Sequence, residues 1–588
     1  MSPRREVQDV LARFAFAYEL LEGPTPRART YAAAARTIFQ LEGDLAELRA
    51  SGALAKVRGL GSATLAVVDD VLAGREPAEL VALEAKIPSG LFAVREVRGL
   101  GPAKVRALYE GLGIASLGEL EHACRENRLV TLAGFGAKTQ AKVLEGVQER
   151  RRREEMWLRD AALTLAERMQ HALAVQGISD VRIVGALARG DEIIEKIELL
   201  AVTDAAALDV ALRAALDVDV RTALEEPAGA TGEDPVRATP QSNGNDELSR
   251  VVVHRAEATN AGLAEVRLTS DEAHLAQLVA RASERQLTLA DDALFDARRT
   301  PIACATADSL YAALDLLAVA AEARSADTPL ARIGKARTAL IRREDLRGAL
   351  HNHTVASDGN ATLSEMRAAA VESGLEYLGI SEHSVSADYA RGLSVERLAA
   401  QGAEITALNR SGSGCTLLTG IESDILSSGA LDYADDVLRT LQVIIASSHR
   451  RFALDRAAST ARMVRAARDP NTDIIGHPTG RLLLARPALD FDIAVFLDAC
   501  AESGCAVELN GSAHRLDFGA RELAMAKERG VCVSIAADAH APPEIEEHLM
   551  YGVAVARRAG LTADDVLNAK PLAELELWLA ARRARRAS

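Results

Sequence analysis

Downstream of residue 346, short apolar runs alternate with stretches of helical periodicity. The runs fall at 347–350, 377–380, 416–419, 443–446, 474–475, 506–509 and 531–536. Seven β/α units in succession predict a parallel barrel. Barrels of this kind place their chemistry at the C-terminal ends of the strands. The first 150 or so residues follow another rhythm. Val57-Arg58-Gly59-Leu60-Gly61 recurs as Val97-Arg98-Gly99-Leu100-Gly101 and again as Leu132-Ala133-Gly134-Phe135-Gly136, each copy followed by a helical stretch. Glycine tolerates φ > 0, so each unit predicts a tight turn between two short helices, the helix-hairpin-helix signature.

Such a turn, with the helix N-terminus that follows it, suits one backbone phosphate and reads no base. A helical repeat with glycine caps would share the spacing, but three copies favour binding to a DNA backbone. The candidate contacts are Gly59, Gly61, Gly99, Gly101, Lys104, Gly134, Gly136 and Lys138. Between the two regions, residues 148–153 form a charged helix, an amphipathic helix surrounds Leu163, and Val181–Val184 reads as a strand. Residues 221–248, rich in Glu, Pro, Gly, Ala, Thr and Asn, read as a flexible insertion.

Composition narrows the class. The 588 residues suggest three to five domains, and 48% hydrophobic content supplies ordinary cores. No run approaches a membrane span, and Arg4 and Arg5 precede no apolar signal segment, so a cytoplasmic protein is expected; nucleoid association and a monomeric state are separate expectations that these features do not supply. The six cysteines are scattered without a CxxC pair, which excludes a disulfide framework and a thiolate zinc site. The net charge of −15 is unevenly spread. Residues 1–158 hold 23 Lys+Arg and 21 Asp+Glu, or +2, leaving 46 − 63 = −17 for the remainder. The acidity therefore lies with the carboxylates a metal site would use, and binding of DNA by the front must rely on local geometry.

The strand candidates end in ligand-type residues. The first leads into His351-Asn352-His353, with Asp358-Gly359 beyond, and the second into Glu382-His383. Glu422, His449 and His477 follow the third, fourth and fifth, the sixth carries Glu508 and Asn510, and the seventh leads into Asp538-Ala539-His540. Imidazole with carboxylate suits Zn²⁺, Mn²⁺ or Fe²⁺. Nine candidate ligands exceed the capacity of one ion, so two or three are expected, an arrangement that activates water and clamps a phosphoryl group. Arg450, Arg451 and Arg515 stand beside these motifs as candidates to neutralise substrate phosphate, Arg450 and Arg515 as the catalytic pair.

The stretch Leu350-His351-Asn352-His353-Thr354 through Ser357-Asp358-Gly359, with the later Glu-His, Glu, His, His and Asp-Ala-His steps, resembles the PHP (polymerase and histidinol phosphatase) family over residues 345–575. The resemblance implies a distorted (β/α)7 barrel with a trinuclear site held by His351, His353, Asp358, His383, Glu422, His449, His477, Asp538 and His540. Glu382 departs from an Asp frequent in that family. Three helix-hairpin-helix units ahead of a PHP domain resemble, in order and length, the bacterial family X DNA polymerases. The implied organisation is a helical domain at 1–80, a fingers-like domain at 81–158, an α+β nucleotidyltransferase-like palm and thumb at 159–325, a linker at 326–344, and the PHP domain at 345–588.

The palm motif is degenerate. The frame persists at Arg189-Gly190 and Ile197–Leu200, but the two metal-binding Asp positions fall on Lys196 and Glu198. The third, expected on a later strand, falls on Glu265 within Leu263-Ala264-Glu265-Val266-Arg267. Two-metal nucleotidyl transfer needs carboxylates that bridge both ions, so Mg²⁺ or Mn²⁺ lacks its usual ligands here, and Lys196 is expected to pair with Glu198 or Glu265 as a fixed cation. Polymerase activity is expected to be lost or weak. The segment after the first hairpin, 62–68, has no lysine for Schiff-base lyase chemistry. The leading expectation is a metal-dependent DNA exonuclease in DNA repair, its 3′→5′ direction implied by the resemblance alone. The alternatives are a small-molecule phosphoesterase, a non-catalytic DNA-binding scaffold, and a residual Mn²⁺-dependent gap-filling polymerase.

Overall fold

The computed structural model describes all residues except 1–2, 42–44, 126–127, 155, 218–250, 291–292, 325–338, 388–389, 413, 451, 453 and 587–588. The insertion expected at 221–248 and Arg451 lie outside the described residues. The chain divides into two compact units, the first essentially Met1–Glu155 and the second beginning at Met156. No described helix is long and apolar enough to cross a membrane.

The first unit is helical, and its three hairpins are built alike. In each, the residue between the two glycines is a buried plug: Leu60, Leu100 and Phe135. Its amide closes the turn onto a carbonyl three residues earlier, Leu60 N to Val57 O at 3.2 Å, Leu100 N to Val97 O at 3.0 Å and Phe135 N to Leu132 O at 3.1 Å. The plug pulls the turn inward while Gly59, Gly99 and Gly134 swing outward with φ of +99°, +89° and +86°. L side chains avoid that backbone conformation. Helices Ser62–Leu72, Pro102–Leu112 and Ala137–Glu154 start directly after Gly61, Gly101 and Gly136. Lys104 donates to the carbonyl of Gly99 at 3.1 Å and lies 5.8 Å from the Phe135 ring centroid, which ties the second hairpin to the third.

The second unit opens with a small mixed sheet of β1 (Val181–Val184), β2 (Ile197–Val202) and β3 (Val251–Ala256). β2 lies in the centre, antiparallel to β1 and parallel to β3. The helix Arg159–Val175 contributes Ala162, Ala166, Met169 and Leu173 to the core beneath it. Glu265 does not lie on a strand as expected. It lies on the helix Ala261–Thr269, whose buried Leu263, Val266 and Thr269 recur every three residues. The strand beside β2 is β3, which brings His254 to within 3.1 Å of Glu198.

Seven parallel strands follow in sequence order: β4 (Gly348–Ala349), β5 (Tyr377–Ile380), β6 (Thr416–Asp424), β7 (Val443–Ser447), β8 (Ile474–Gly476), β9 (Ala506–Asn510) and β10 (Val533–Ala536). They form a distorted (β/α)7 barrel. β4 and β10 share no ladder, and two devices bridge them. At the C-terminal end, Asp538 N donates to His351 O and His353 N to Ala539 O, both at 2.9 Å. Near the other end the buried Asn568 donates to Gly348 O at 2.7 Å and to Ile535 O at 2.9 Å, and accepts from Ile535 N at 2.9 Å. The barrel fold begins before residue 345, because Ile341 is buried in the barrel core and its amide donates to Leu561 O at 2.9 Å. The end of the expected linker is thus part of the barrel.

Asn568→Ala would strand three buried backbone groups at the seam, each worth about 1–3 kcal/mol when left unpaired. Urea unfolding of the full chain is expected to show a loss of about 3 kcal/mol in the transition of the second unit. A loss under about 1 kcal/mol would mean that the seam does not depend on Asn568.

Candidate metal centre

All nine expected ligands converge at the C-terminal end of the barrel. Glu422 is the hub. β6 runs two residues past it, so its carboxylate is embedded among the other strand ends and is 1% exposed. Five imidazoles face it: His383 Nδ1 at 2.8 Å, His477 Nε2 at 2.9 Å, His449 Nε2 at 3.1 Å, His351 Nε2 at 3.4 Å and His353 Nε2 at 3.9 Å. Asp538 Oδ1 lies 3.1 Å from His353 Nε2 and 3.6 Å from His351 Nε2. Asp358 brings in the remaining member, with its oxygens 3.3 Å from His383 Nε2 and 3.4 Å from His540 Nε2.

Three groups have one ligand atom per residue, all within 4.8 Å of one another: His353, Asp358, His383 and His540; His351, His353 and Asp538; His383, Glu422 and His449. His353 and His383 each occur in two groups, and a neutral imidazole offers a single lone pair. The groups, found among the described residues, therefore cannot all be filled independently.

Carboxylates outside the expected set hold the histidines from behind. Glu508 Oε2 meets His351 Nδ1 at 2.7 Å, and its Oε1 accepts from His477 N and Asn510 Nδ2, each at 3.1 Å. Asp424 meets His449 Nδ1 at 2.7 Å and accepts from Ser386 Oγ at 2.8 Å. Asn510 Nδ2 donates to Asp538 Oδ2 at 2.8 Å. Such partners fix the ring orientation and tautomer, so the opposite nitrogen presents its lone pair inward. Glu382, the departure from the family pattern, faces the loop instead. It accepts from Gln401 Nε2 at 2.7 Å, from Thr354 N at 3.2 Å and from the hydroxyls of Thr354 and Ser357, and so shapes the segment that presents Asp358. Asp424 escaped the sequence reading. Its signal is the i, i+2 spacing from Glu422, which on a strand puts both side chains on one face.

The electrostatics suit a cation. Burial opposes ionisation of Glu422, but His449, His351 and His383 outweigh it and hold the carboxyl well below the usual range. Burial is likewise overcome at Asp538, chiefly by His351 and His353, and at Asp358, chiefly by His383 and His540. His477 is pushed down to about 4 by burial and by the nearby Arg515. Burial, with His540 and His383 beside it, also lowers His353. Against their burial, the carboxylates raise His351, His383, His449 and His540; histidines that bind a metal are neutral, which would leave buried Glu422 and Asp538 and half-buried Asp358 without that counter-charge. Divalent cations answer that charge. The buried His351 Nε2, His353 Nδ1, His477 Nδ1 and Glu422 Oε2 also lack hydrogen-bond partners. The donor set therefore fits divalent ions.

The two arginines part company. Arg515 Nε lies 3.5 Å from Asp538 Oδ2, beside the cluster. Arg450 donates to the carbonyl of Ser386 at 2.6 Å, on the loop after β5. In the small sheet, Lys196 Nζ lies 2.8 Å from Glu198 Oε1, and His254 Nε2 lies 3.1 Å from the same oxygen. Glu265 is met by Arg182 at 3.0 Å and Arg324 at 3.7 Å. The two surviving acids of the palm motif are thus engaged by four basic side chains.

Comparisons with known proteins agree with this architecture. Residues 93–149 match the SAM-like helix-hairpin-helix tandem family, covering the second and third hairpins. The chain is 28% identical to the DNA polymerase/3′-5′ exonuclease PolX of Bacillus subtilis (strain 168) over 578 residues, 96% of this chain and 97% of the relative. It is 30% identical to a probable phosphatase of Thermoanaerobacter sp. (strain X514) over 233 residues, 37% of this chain and 88% of the relative. A probable phosphatase of Shewanella sp. (strain MR-4) is 29% identical over 201 residues, 32% of this chain and 75% of the relative. Along nearly its whole length the chain is thus similar to a bacterial family X DNA polymerase with exonuclease activity, and its C-terminal barrel is similar to probable phosphatases.

Proposed function

We propose that this protein is a metal-dependent 3′→5′ DNA exonuclease acting in DNA repair, whose reaction takes place in the barrel. The observation that carries the reading is the convergence of nine ligand-type side chains on one barrel end, in a chain that also bears helix-hairpin-helix turns. The nine residues His351, His353, Asp358, His383, Glu422, His449, His477, Asp538 and His540 would hold two or three Zn²⁺, Mn²⁺ or Fe²⁺ ions. Bound there, such ions activate water and neutralise a phosphodiester. Glu508 and Asp424 keep His351 and His449 facing inward, and Arg515 offers a guanidinium to the substrate phosphate. The polarity of digestion rests on the likeness to the Bacillus relative. Gly59, Gly61, Gly99, Gly101, Gly134 and Gly136, with Lys104 and Lys138, would hold the DNA backbone through exposed turn amides and charge.

Templated synthesis is lost or very weak in this reading. Two Mg²⁺ or Mn²⁺ ions at the palm would meet the Lys196 ammonium and find Glu198 and Glu265 already paired with basic groups. The likeness to probable phosphatases favours a second reading, hydrolysis of a small phosphate ester at the same site. Substrate choice separates the two.

With Mn²⁺ and a 5′-labelled primer–template, the full chain is expected to produce a ladder of shortened primers on a sequencing gel. His353→Ala and Asp538→Ala should each reduce shortening at least 100-fold, the scale on which a misplaced reacting group is felt, with unchanged circular dichroism. Full activity in both variants would remove the reaction from the barrel. Turnover of small phosphomonoesters with DNA left intact would favour the second reading. Elemental analysis should find two or more transition-metal ions per chain, and chelation should lower the melting temperature, because ions bound only by the folded state stabilise it. Adding dNTPs should give no extension. Extension that depends on dNTPs and is abolished by Glu198→Ala would show that the palm still works.

A further inference from the structure

The palm sheet is joined to a turn that docks on the barrel. Gly190, at φ +75°, lies where an added Cβ would come within 3.3 Å of the carbonyl of Ala554. Asp191 accepts from Arg189 at 2.8 Å and also from Arg558 of the barrel helix Pro542–Arg558. Leu158 and Ile193 pack against the barrel's hydrophobic core. Glu192 Oε1 lies 2.9 Å from Arg481 Nη2, and a Cβ on Gly519 would meet the same oxygen at 2.6 Å.

Arg481 leads from that contact toward the metal cluster. Its Nε donates to the carbonyl of Arg515 at 2.9 Å, and its Nη2 donates to that of Leu516. Both carbonyls belong to the loop between β9 and the helix Ala520–Glu528. Leu516 sits at φ +41°, a region a branched side chain occupies only when its surroundings impose it. The neighbouring Asp517 is buried and accepts from Thr479 N at 3.1 Å. The side chain on this constrained loop that reaches the cluster is Arg515, 3.5 Å from Asp538.

We propose that Glu192, a palm residue, is a positioning residue for the barrel site: by orienting Arg481 it fixes the 512–518 loop and thereby aims Arg515 at the substrate phosphate. The proposal rests on the exonuclease reading for what Arg515 contacts. Without Glu192, Arg481 loses the carboxylate that orients it and keeps its bonds to the Arg515 and Leu516 carbonyls. The pair is part-buried, 27% and 18% exposed, so its loss costs some stability as well, and the role at the site is read from kinetics and loop exchange, not from the melting temperature. The palm would keep a role in this way although its own two-metal chemistry is gone.

The test uses the full chain with Mn²⁺ and the p-nitrophenyl ester of thymidine 5′-monophosphate, a phosphodiester small enough not to need the hairpins. Glu192→Ala should raise KM roughly tenfold, a fraction of what a 1 Å misplacement can cost, with metal content unchanged. Glu192→Gln should fall between it and the unaltered protein. In an Arg515→Ala background, Glu192→Ala should have no further effect, because the residue it positions is gone. In the metal-free protein, backbone amides of 511–519 should exchange hydrogen several-fold faster in Glu192→Ala, a readout independent of catalysis. Unchanged exchange together with unchanged KM would overturn the proposal, as would kinetic effects of the two substitutions that simply multiply. If the unaltered protein hydrolyses no phosphodiester, the functional reading fails, and the exchange measurement alone decides whether Glu192 holds the loop.

Discussion

Burying the Glu422 carboxylate is the constraint around which the barrel end is built. An ion taken out of water costs several kcal/mol unless opposite charge and hydrogen bonds meet it, and Glu422 is almost wholly enclosed. Five imidazoles within 4 Å meet it, delivered by loops after β4, β5, β7 and β8. Two of these imidazoles have the nitrogen on their far side met as well, by Glu508 behind His351 and by Asp424 behind His449. The constraint extends into the backbone. His477 and Asp538 adopt φ of +23° and +49°, values that persist only where the surroundings over-determine them. Closure of the barrel is coupled to the same point, since the hydrogen bonds joining the first and last strands come from His351, His353, Asp538 and Ala539.

The barrel was legible in the sequence because its strands are buried on both faces and read as continuous apolar runs. His and Asp residues directly after such runs stand out, and all nine expected ligands meet in space. Legibility ended where polarity and strand overlap. β6 continues through Glu422 to Asp424, so an acid belonging to the site lay inside a strand and not after it. Asn568 bridges the seam from a short 3-10 turn, and no periodicity marks a lone asparagine as buried. Leu263–Arg267 failed for a different reason. Five residues hold too little pattern to tell a strand from a helix, and the helix is recognised only when Thr269 is counted with Leu263 and Val266.

In the palm, the charge constraint is met from within. Glu198 projects from β2, Lys196 pairs with it from the residue just before that strand, and β3 places His254 beside Glu198. Lys196, His254, Arg182 and Arg324 face the acids there. In the barrel the same arithmetic comes out the other way: its partners are mostly imidazoles, which are neutral when they bind a metal, so the carboxylates keep a need for cations.

The packing of this region is a separate matter from those charges. The core beneath is ordinary apolar packing of Ala162, Leu173, Ile197 and Leu199. Its far side is anchored by Leu158 and Ile193 on the barrel core, and by Glu192, Asp191 and Glu322 paired with Arg481, Arg558 and Arg557. Three acids of the palm-like region thus meet three arginines of the barrel. The side chains that fix this region on the barrel are thus other than Lys196, Glu198 and Glu265.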